Sequence, residues 1–255
     1  MHPVLFSIGN FQLPTYGVAL VVAFLTATYF IKREAGRMGL DAQKTADTAI
    51  MGLLFGLVGA KALLILIDLP HYLSNPGELL GTIRLAGVIY GGVLGGIVGI
   101  AWYVRRHNLP AWDTFDVLAP FAALGMGIGR LGCFFSGCCY GMPYEGPLAM
   151  AAEHTHCTTC TTTVFPVQIV GLLNGVALCL VLVAILRKRK FEGQVLLSFG
   201  ILYGLTRGLI EFLRGDDVER GMWLAGYIST SQIVAILFIV VSVFLYIKKN
   251  KEATT

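Results

Sequence analysis

The chain has 255 residues, 56% of them hydrophobic and 13% charged, with a mean hydropathy of +0.73. A water-soluble domain carries about 25% charged residues, so this composition excludes an ordinary soluble enzyme or binding module and points to a membrane protein. The net charge of +4 then reads as cationic loops that fix topology, and no nucleic-acid partner is expected.

A membrane-crossing helix needs about 20 predominantly apolar residues. The opening residues MHPVLFSIGNFQLP lack a basic n-region and a small-residue cleavage site, so no cleavable signal peptide is expected. The first span is predicted over 16–31 and is followed by Lys32, Arg33, Arg37 and Lys44. The second covers 45–67. After it, 68–86 reads as an extracytoplasmic loop with His71, Tyr72 and Pro76, able to carry a short interfacial helix. The third span, 87–104, is rich in glycine from Gly91 to Gly99 and is followed by Arg105 and Arg106. The fourth, 115–135, contains Gly125, Gly127 and Gly129 just before Arg130. A longer extracytoplasmic loop, 136–165, leads to the fifth span, 166–186, and then to Arg187, Lys188, Arg189 and Lys190. The sixth and seventh spans are 195–213 and 231–247, the last followed by Lys248, Lys249 and Lys251.

The loop cations just named are thirteen of the 19 lysines and arginines, and all fall on one side. The positive-inside rule makes that side cytoplasmic. The expected fold is therefore all-α: one polytopic membrane-embedded domain, 1–255, with about seven spans, its N-terminus outside and its C-terminus cytoplasmic. No internal repeat suggests a transporter built of two similar halves. Most of the 31 glycines are accounted for by close helix packing in lipid. Those before Arg130 can also let backbone approach a ligand.

Lys61, Arg84, Arg130, Arg207, Arg214 and Arg220 fall in spans or on the outer side, where topology does not explain them. Ionisable groups inside a membrane are costly and mark function by default. Arg207, Glu211 and Arg214, spaced four and three apart, share one helix face. Glu211 can pair with either arginine and leave net positive charge. The planar guanidinium fork suits phosphate oxygens, so these residues with Arg130 can hold a phospholipid headgroup at the outer leaflet. Two plainer readings stay open: an Arg–Glu bridge that only pins helices, and an Arg214 that snorkels to the interface.

Several segments together resemble the phosphatidylglycerol–prolipoprotein diacylglyceryl transferase family. They are Phe6-Ser-Ile-Gly with Tyr16-Gly, and Tyr90-Gly-Gly-Val-Leu-Gly. Gly129-Arg130-Leu-Gly132 follows with Gly137 and Tyr140-Gly141, then Pro166-Val-Gln168. The last group is Tyr203-Gly204, Arg207, Glu211-Phe-Leu-Arg214, Asp217 and Tyr227 to Gln232. The resemblance implies that Arg130 and Arg207 are the essential pair, binding phosphate and stabilising the departing glycerol-1-phosphate. It implies substrate-binding positions at Tyr16, Gly141, Gln168, Glu211 and Arg214. Tyr90 falls where members carry histidine or tyrosine. It is a candidate general base, although a phenol pKa of about 10 is poorly matched to neutral pH; a headgroup hydrogen bond is the alternative role. The implied partners are phosphatidylglycerol, the lipobox cysteine of a prolipoprotein signal peptide and membrane lipids. No cofactor is implied, and the implied location is the bacterial cytoplasmic (inner) membrane, with the site toward the outer leaflet.

The chain departs from the family pattern at Cys133, where asparagine is usual, and at Cys138, where glutamate is usual. Phe165 replaces a histidine and Lys61 an arginine. A divergent, cysteine-rich paralogue fits these changes, and they leave the acceptor open. Five of the six cysteines, Cys133, Cys138, Cys139, Cys157 and Cys160, crowd in and beside one outer loop. Cys138, Cys139, Cys157 and Cys160 are candidates for disulfides on an oxidising side, for a metal with His154 and His156, or for free thiols. Cys179 reads as a small buried core residue. The competing functions are transfer to another acceptor, a lipid or anion transporter, and a membrane thiol-redox protein.

Overall fold

A computed structural model describes residues 4–8, 11–75, 77, 87–151, 163–215, 222–223 and 228–254. It is mainly helical. A hairpin of β1 (Val4–Ile8) and β2 (Phe11–Pro14) precedes α1 (Thr15–Arg37) and α2 (Ala42–Ile67). The short α3 (Leu69–Ser74) is followed by α4 (Ile89–Arg106) and α5 (Ala111–Ser136). Two-residue strands β3 (Met150–Ala151) and β4 (Thr163–Val164) pair before α6 (Val167–Arg187) and α7 (Gln194–Glu211). Strands β5 (Met222–Trp223) and β6 (Ile228–Ser229) lead into α8 (Thr230–Thr254).

Among the described residues five helices, α1, α2, α5, α6 and α8, are long and apolar enough to cross a membrane, which makes the chain a helical integral membrane protein. The 18-residue helices α4 and α7 lie at the expected third and sixth spans. Each carries charge: Arg105 and Arg106 end α4, while Arg207 and Glu211 lie in the second half of α7. The expected bounds differ most at the C-terminal ends of α8, which runs to Thr254, and of α1, which runs on from Ile31 to Arg37. The polar last turns of α1 remain helical, with Arg37 ion-paired to Glu34 at 3.0 Å.

The chain divides into two compact units, Ile31–Thr114 and Met1–Phe30 with Phe115–Thr255. In the first of these, α2 and α4 pack glycine to glycine. A Cβ at Gly59 would lie 2.4 Å from the Gly91 carbonyl oxygen, and one at Gly95 would lie 2.3 Å from that of Phe55. The glycine-rich third span is thus spent on backbone-to-backbone packing, the usual use of small residues in lipid. Asp41 starts α2 by accepting from the Lys44 N–H at 3.0 Å, an N-cap.

In the other unit, α5 lies between α1 and α6. Its Gly125 and Gly129 face Ala27 and Leu20 of α1, while Gly127 meets Gly175 of α6 within 3.0 Å of a built Cβ. Asp116, near the start of α5 and fully buried, fixes the other end. It accepts from the N–H groups of Gly193 (2.9 Å), Val195 (3.0 Å) and Leu196 (2.9 Å), and from Arg189 at 3.2 Å. These backbone donors are the otherwise unmatched amides at the start of α7. One carboxylate on α5 therefore caps α7 and holds the α6–α7 turn. Gly193, at φ +88°, takes the left-handed conformation that directs its N–H there.

Asp116→Ala is expected to destabilise the protein by about 3–5 kcal/mol, the usual cost of leaving a buried charge partner and its donors unmatched. Arg189→Ala, which removes one donor of four, is expected to cost about 1.5–3 kcal/mol. Thermal unfolding in detergent, followed by circular dichroism, checks the order.

Candidate active site

Arg207, Glu211 and Arg214 meet as the spacing implies. The Glu211 side chain is 1% exposed and forms an ion pair with Arg207, while Arg214 lies 3.9 Å from the same Oε2. The hydroxyls of Ser229, the last residue of β6, and Ser231, in the first turn of α8, also hydrogen-bond this carboxylate. Both arginines are mostly enclosed, at 15% and 13% side-chain exposure. Arg214 is therefore largely covered by other parts of the protein. One carboxylate against two guanidiniums leaves net positive charge.

Arg130 lies near the end of α5. Its side chain lies across Gly171 of α6, where a Cβ would come within 3.0 Å of its Cγ and 3.4 Å of its Nε. One turn on, Asn174 of α6 donates to Thr206 of α7 at 3.2 Å. Helix α6 thus carries Arg130 on one contact and touches α7 beside Arg207 on another. Arg130 and Arg214 both lie within electrostatic range of Cys133, so cations from α5 and from the end of α7 bear on one point. Tyr16, in the first turn of α1, packs its ring on Gly132, with Cδ2 2.8 Å from a built Cβ, and feels the charge of Arg130.

Gly141 sits where two backbones close in. Its N–H donates to the Phe165 carbonyl at 3.0 Å, and it forms a β-bridge with Arg214. Gly215 N–H donates to Tyr140 O at 3.3 Å, and Met142 N–H to Leu213 O at 3.0 Å. A Cβ at Gly141 would fall 2.5 Å from the Phe165 oxygen and 2.9 Å from that of Leu213. The loop after α5 is therefore laced between the end of α7 and the start of α6, and it holds the backbone of Arg214. Gln168, 1% exposed, donates to the Cys138 carbonyl at 2.8 Å, while its Oε1 is buried without a hydrogen-bond partner among the described residues.

Cys138 and Cys139 stand beside Cys133 as free thiols. Hydrogen bonding to Cys133 and Cys139, reinforced by burial, pushes the Cys138 thiol above its ordinary range. Cys157 and Cys160, with His154 and His156, lie outside the described residues. Tyr90 is on α4, in the other unit, and is 47% exposed. Two residues important to the geometry carried no individual site signal in the sequence. Gly171 is one of many glycines in spans. Ser229 was legible only as part of the run from Tyr227 to Gln232.

Apolar helices that cross a membrane, with a buried, net-cationic arginine–carboxylate cluster, define a multi-pass membrane protein equipped to hold an anion. Residues 3–248 match the family described as prolipoprotein diacylglyceryl transferase, and the chain belongs to that family. The phosphatidylglycerol–prolipoprotein diacylglyceryl transferase of Clostridium tetani is 30% identical over 246 residues, covering 96% of this chain and 97% of its own. That of Geobacter sulfurreducens is 30% identical over 244 residues, covering 92% and 90%. A second such enzyme of Clostridium perfringens is 28% identical over 256 residues, covering 99% and 98%.

Glu211→Gln keeps the side-chain shape and removes the charge that offsets two enclosed guanidiniums. It is expected to lower stability by about 3–5 kcal/mol, read as a fall in the thermal unfolding midpoint. Gly141→Ala is expected to cost about 1–3 kcal/mol through overpacking. It should also displace Arg214, seen as weaker binding of a phospholipid in a detergent-solubilised binding assay.

Proposed function

We propose that this chain transfers the diacylglyceryl group of phosphatidylglycerol to the lipobox cysteine of a prolipoprotein, releasing glycerol-1-phosphate. Membership of the family supplies the reaction, and one structural observation carries it to these residues. Arg207 and Arg214 share a single buried carboxylate, and Arg130 adds a third guanidinium near Cys133, leaving positive charge for a phosphate.

The substrate thiolate attacks the sn-3 carbon of the diacylglyceryl group. A carbon–sulfur bond forms, the carbon–oxygen bond to phosphate breaks, and its electron pair leaves with glycerol-1-phosphate. Negative charge grows on the phosphate oxygens as that bond breaks. Arg130 and Arg207 stabilise it in a site shielded from water, where fixed charges act most strongly. Glu211 holds Arg207 and Arg214 in place. Tyr16 borders the headgroup on the α1 side. The Oε1 of Gln168, without a hydrogen-bond partner among the described residues, offers an acceptor for a peptide N–H.

In this reading α4 and α7 complete seven crossings, with the N-terminus outside and the C-terminus cytoplasmic in a bacterial inner membrane. The cationic runs at and just beyond the C-terminal ends of α1, α4, α6 and α8 support that orientation. Arg130 and Arg207 then face the outer leaflet, and both donor lipid and signal-peptide acceptor arrive from within the bilayer.

Purified protein incubated with labelled phosphatidylglycerol and a lipobox peptide is expected to give a diacylglyceryl adduct by mass spectrometry, with glycerol phosphate released. A cysteine-to-serine peptide is expected to give none. Arg130→Ala and Arg207→Ala are each expected to slow the reaction by about 10²–10³-fold. Lysine at either position restores little, because the planar fork is lost. Lipid movement between leaflets without adduct overturns the assignment in favour of transport.

A further inference from the structure

Three thiols converge where α5 ends. Cys133 is in its last turn, Cys138 and Cys139 follow, and the three Sγ atoms lie within 4.8 Å of one another. The backbone brings them there. Gly137 (φ +73°) and Cys139 (φ +56°) both take left-handed conformations, and the Cys138 N–H donates to the Cys133 carbonyl at 3.2 Å. These turns fold the chain back onto the helix end. All three residues are half-buried and unbridged.

We propose that Cys133, Cys138 and Cys139 form a three-thiolate zinc(II) site whose fourth position takes the acceptor cysteine of the substrate. The proposal rests on the transferase reading above. A tetrahedral zinc with Zn–S of about 2.3 Å sets its sulfurs about 3.8 Å apart, which small side-chain rotations of this trio reach. Three protein ligands with one open position is the pattern of catalytic rather than structural zinc. Three thiolates on Zn²⁺ give a charge of −1, and a fourth gives −2. Arg130 and Arg214, both within range of Cys133, stand where that charge needs balancing.

The site answers a chemical need. A thiol with a free pKa of about 8.5 is mostly protonated at neutral pH, and the enclosed carboxylate nearby, Glu211, is engaged by Arg207 and two serines. Coordination to zinc deprotonates a thiol outright. The acceptor S–H thus loses its proton to water as the sulfur binds zinc. That sulfur then attacks the sn-3 carbon, and the carbon–oxygen electron pair leaves with the phosphate. The thioether, a neutral and weaker ligand, departs, and water returns to the fourth position.

The test uses the full-length protein in detergent. After growth with added zinc, elemental analysis is expected to find one zinc per chain, and Cys133→Ser, Cys138→Ser and Cys139→Ser variants are expected to lose it. Cobalt(II) replacement is expected to give intense thiolate-to-cobalt charge-transfer absorption. That absorption should grow when the lipobox peptide is added and stay unchanged with the cysteine-to-serine peptide. A disulfide among the three cysteines in freshly isolated protein overturns the proposal, as does a cobalt spectrum blind to the peptide. Equal adduct formation by zinc-stripped and zinc-loaded protein overturns the zinc site and leaves the transferase standing. Peptide-dependent cobalt spectra with no adduct from phosphatidylglycerol under any metal condition keep the zinc–thiolate site and overturn the donor assignment.

Discussion

A carboxylate sealed from water at the end of α7 governs the chemistry this protein can do. Glu211 is 1% exposed and holds Arg207 and Arg214 together. An isolated buried charge is very costly, and a paired one is tolerated only with good geometry and further hydrogen bonds. Ser229 and Ser231 supply those bonds from the junction of β6 and α8. The pairing is deliberately incomplete. With one anion for two cations, the cluster stays short of neutrality, and under the proposed function a phosphate supplies the missing charge.

Around this centre the structure spends its tight packing on position. Small residues let α1 and α6 press against opposite sides of α5, and Gly171 gives the Arg130 side chain a path along α6. At the other end of α5, Asp116 clamps the first turn of α7 through three backbone amides. Helices α5 and α7, which bear the arginines, are thus joined through Asp116 at one end and through the Gly141–Arg214 bridge at the other. A lipid offers no hydrophobic drive for helix association, so such polar ties and close backbone contacts must do that work.

Much of this was legible in the sequence because membrane constraints are severe. Apolar length located the helices, and the four-and-three spacing placed Arg207, Glu211 and Arg214 on one face, where they meet. What was not legible depends on contacts distant in sequence. Asp116 reads as an ordinary acid near a helix start, and only folding brings it to residues 193–196. The meeting of Cys133 with Cys138 and Cys139 needed left-handed backbone at a non-glycine residue, which composition does not announce.

The long excursion after α5 is stapled at its base. Tyr144 N–H donates to Thr163 O at 2.9 Å, and Pro143 bridges to Val164, so the chain leaves and re-enters at nearly the same place. Lengthening a loop whose ends are already pinned costs little, since closure entropy grows only with the logarithm of its length. The stretch between Tyr144 and Thr163 can therefore gain, lose or exchange residues while Gly141 and Arg214 keep their register.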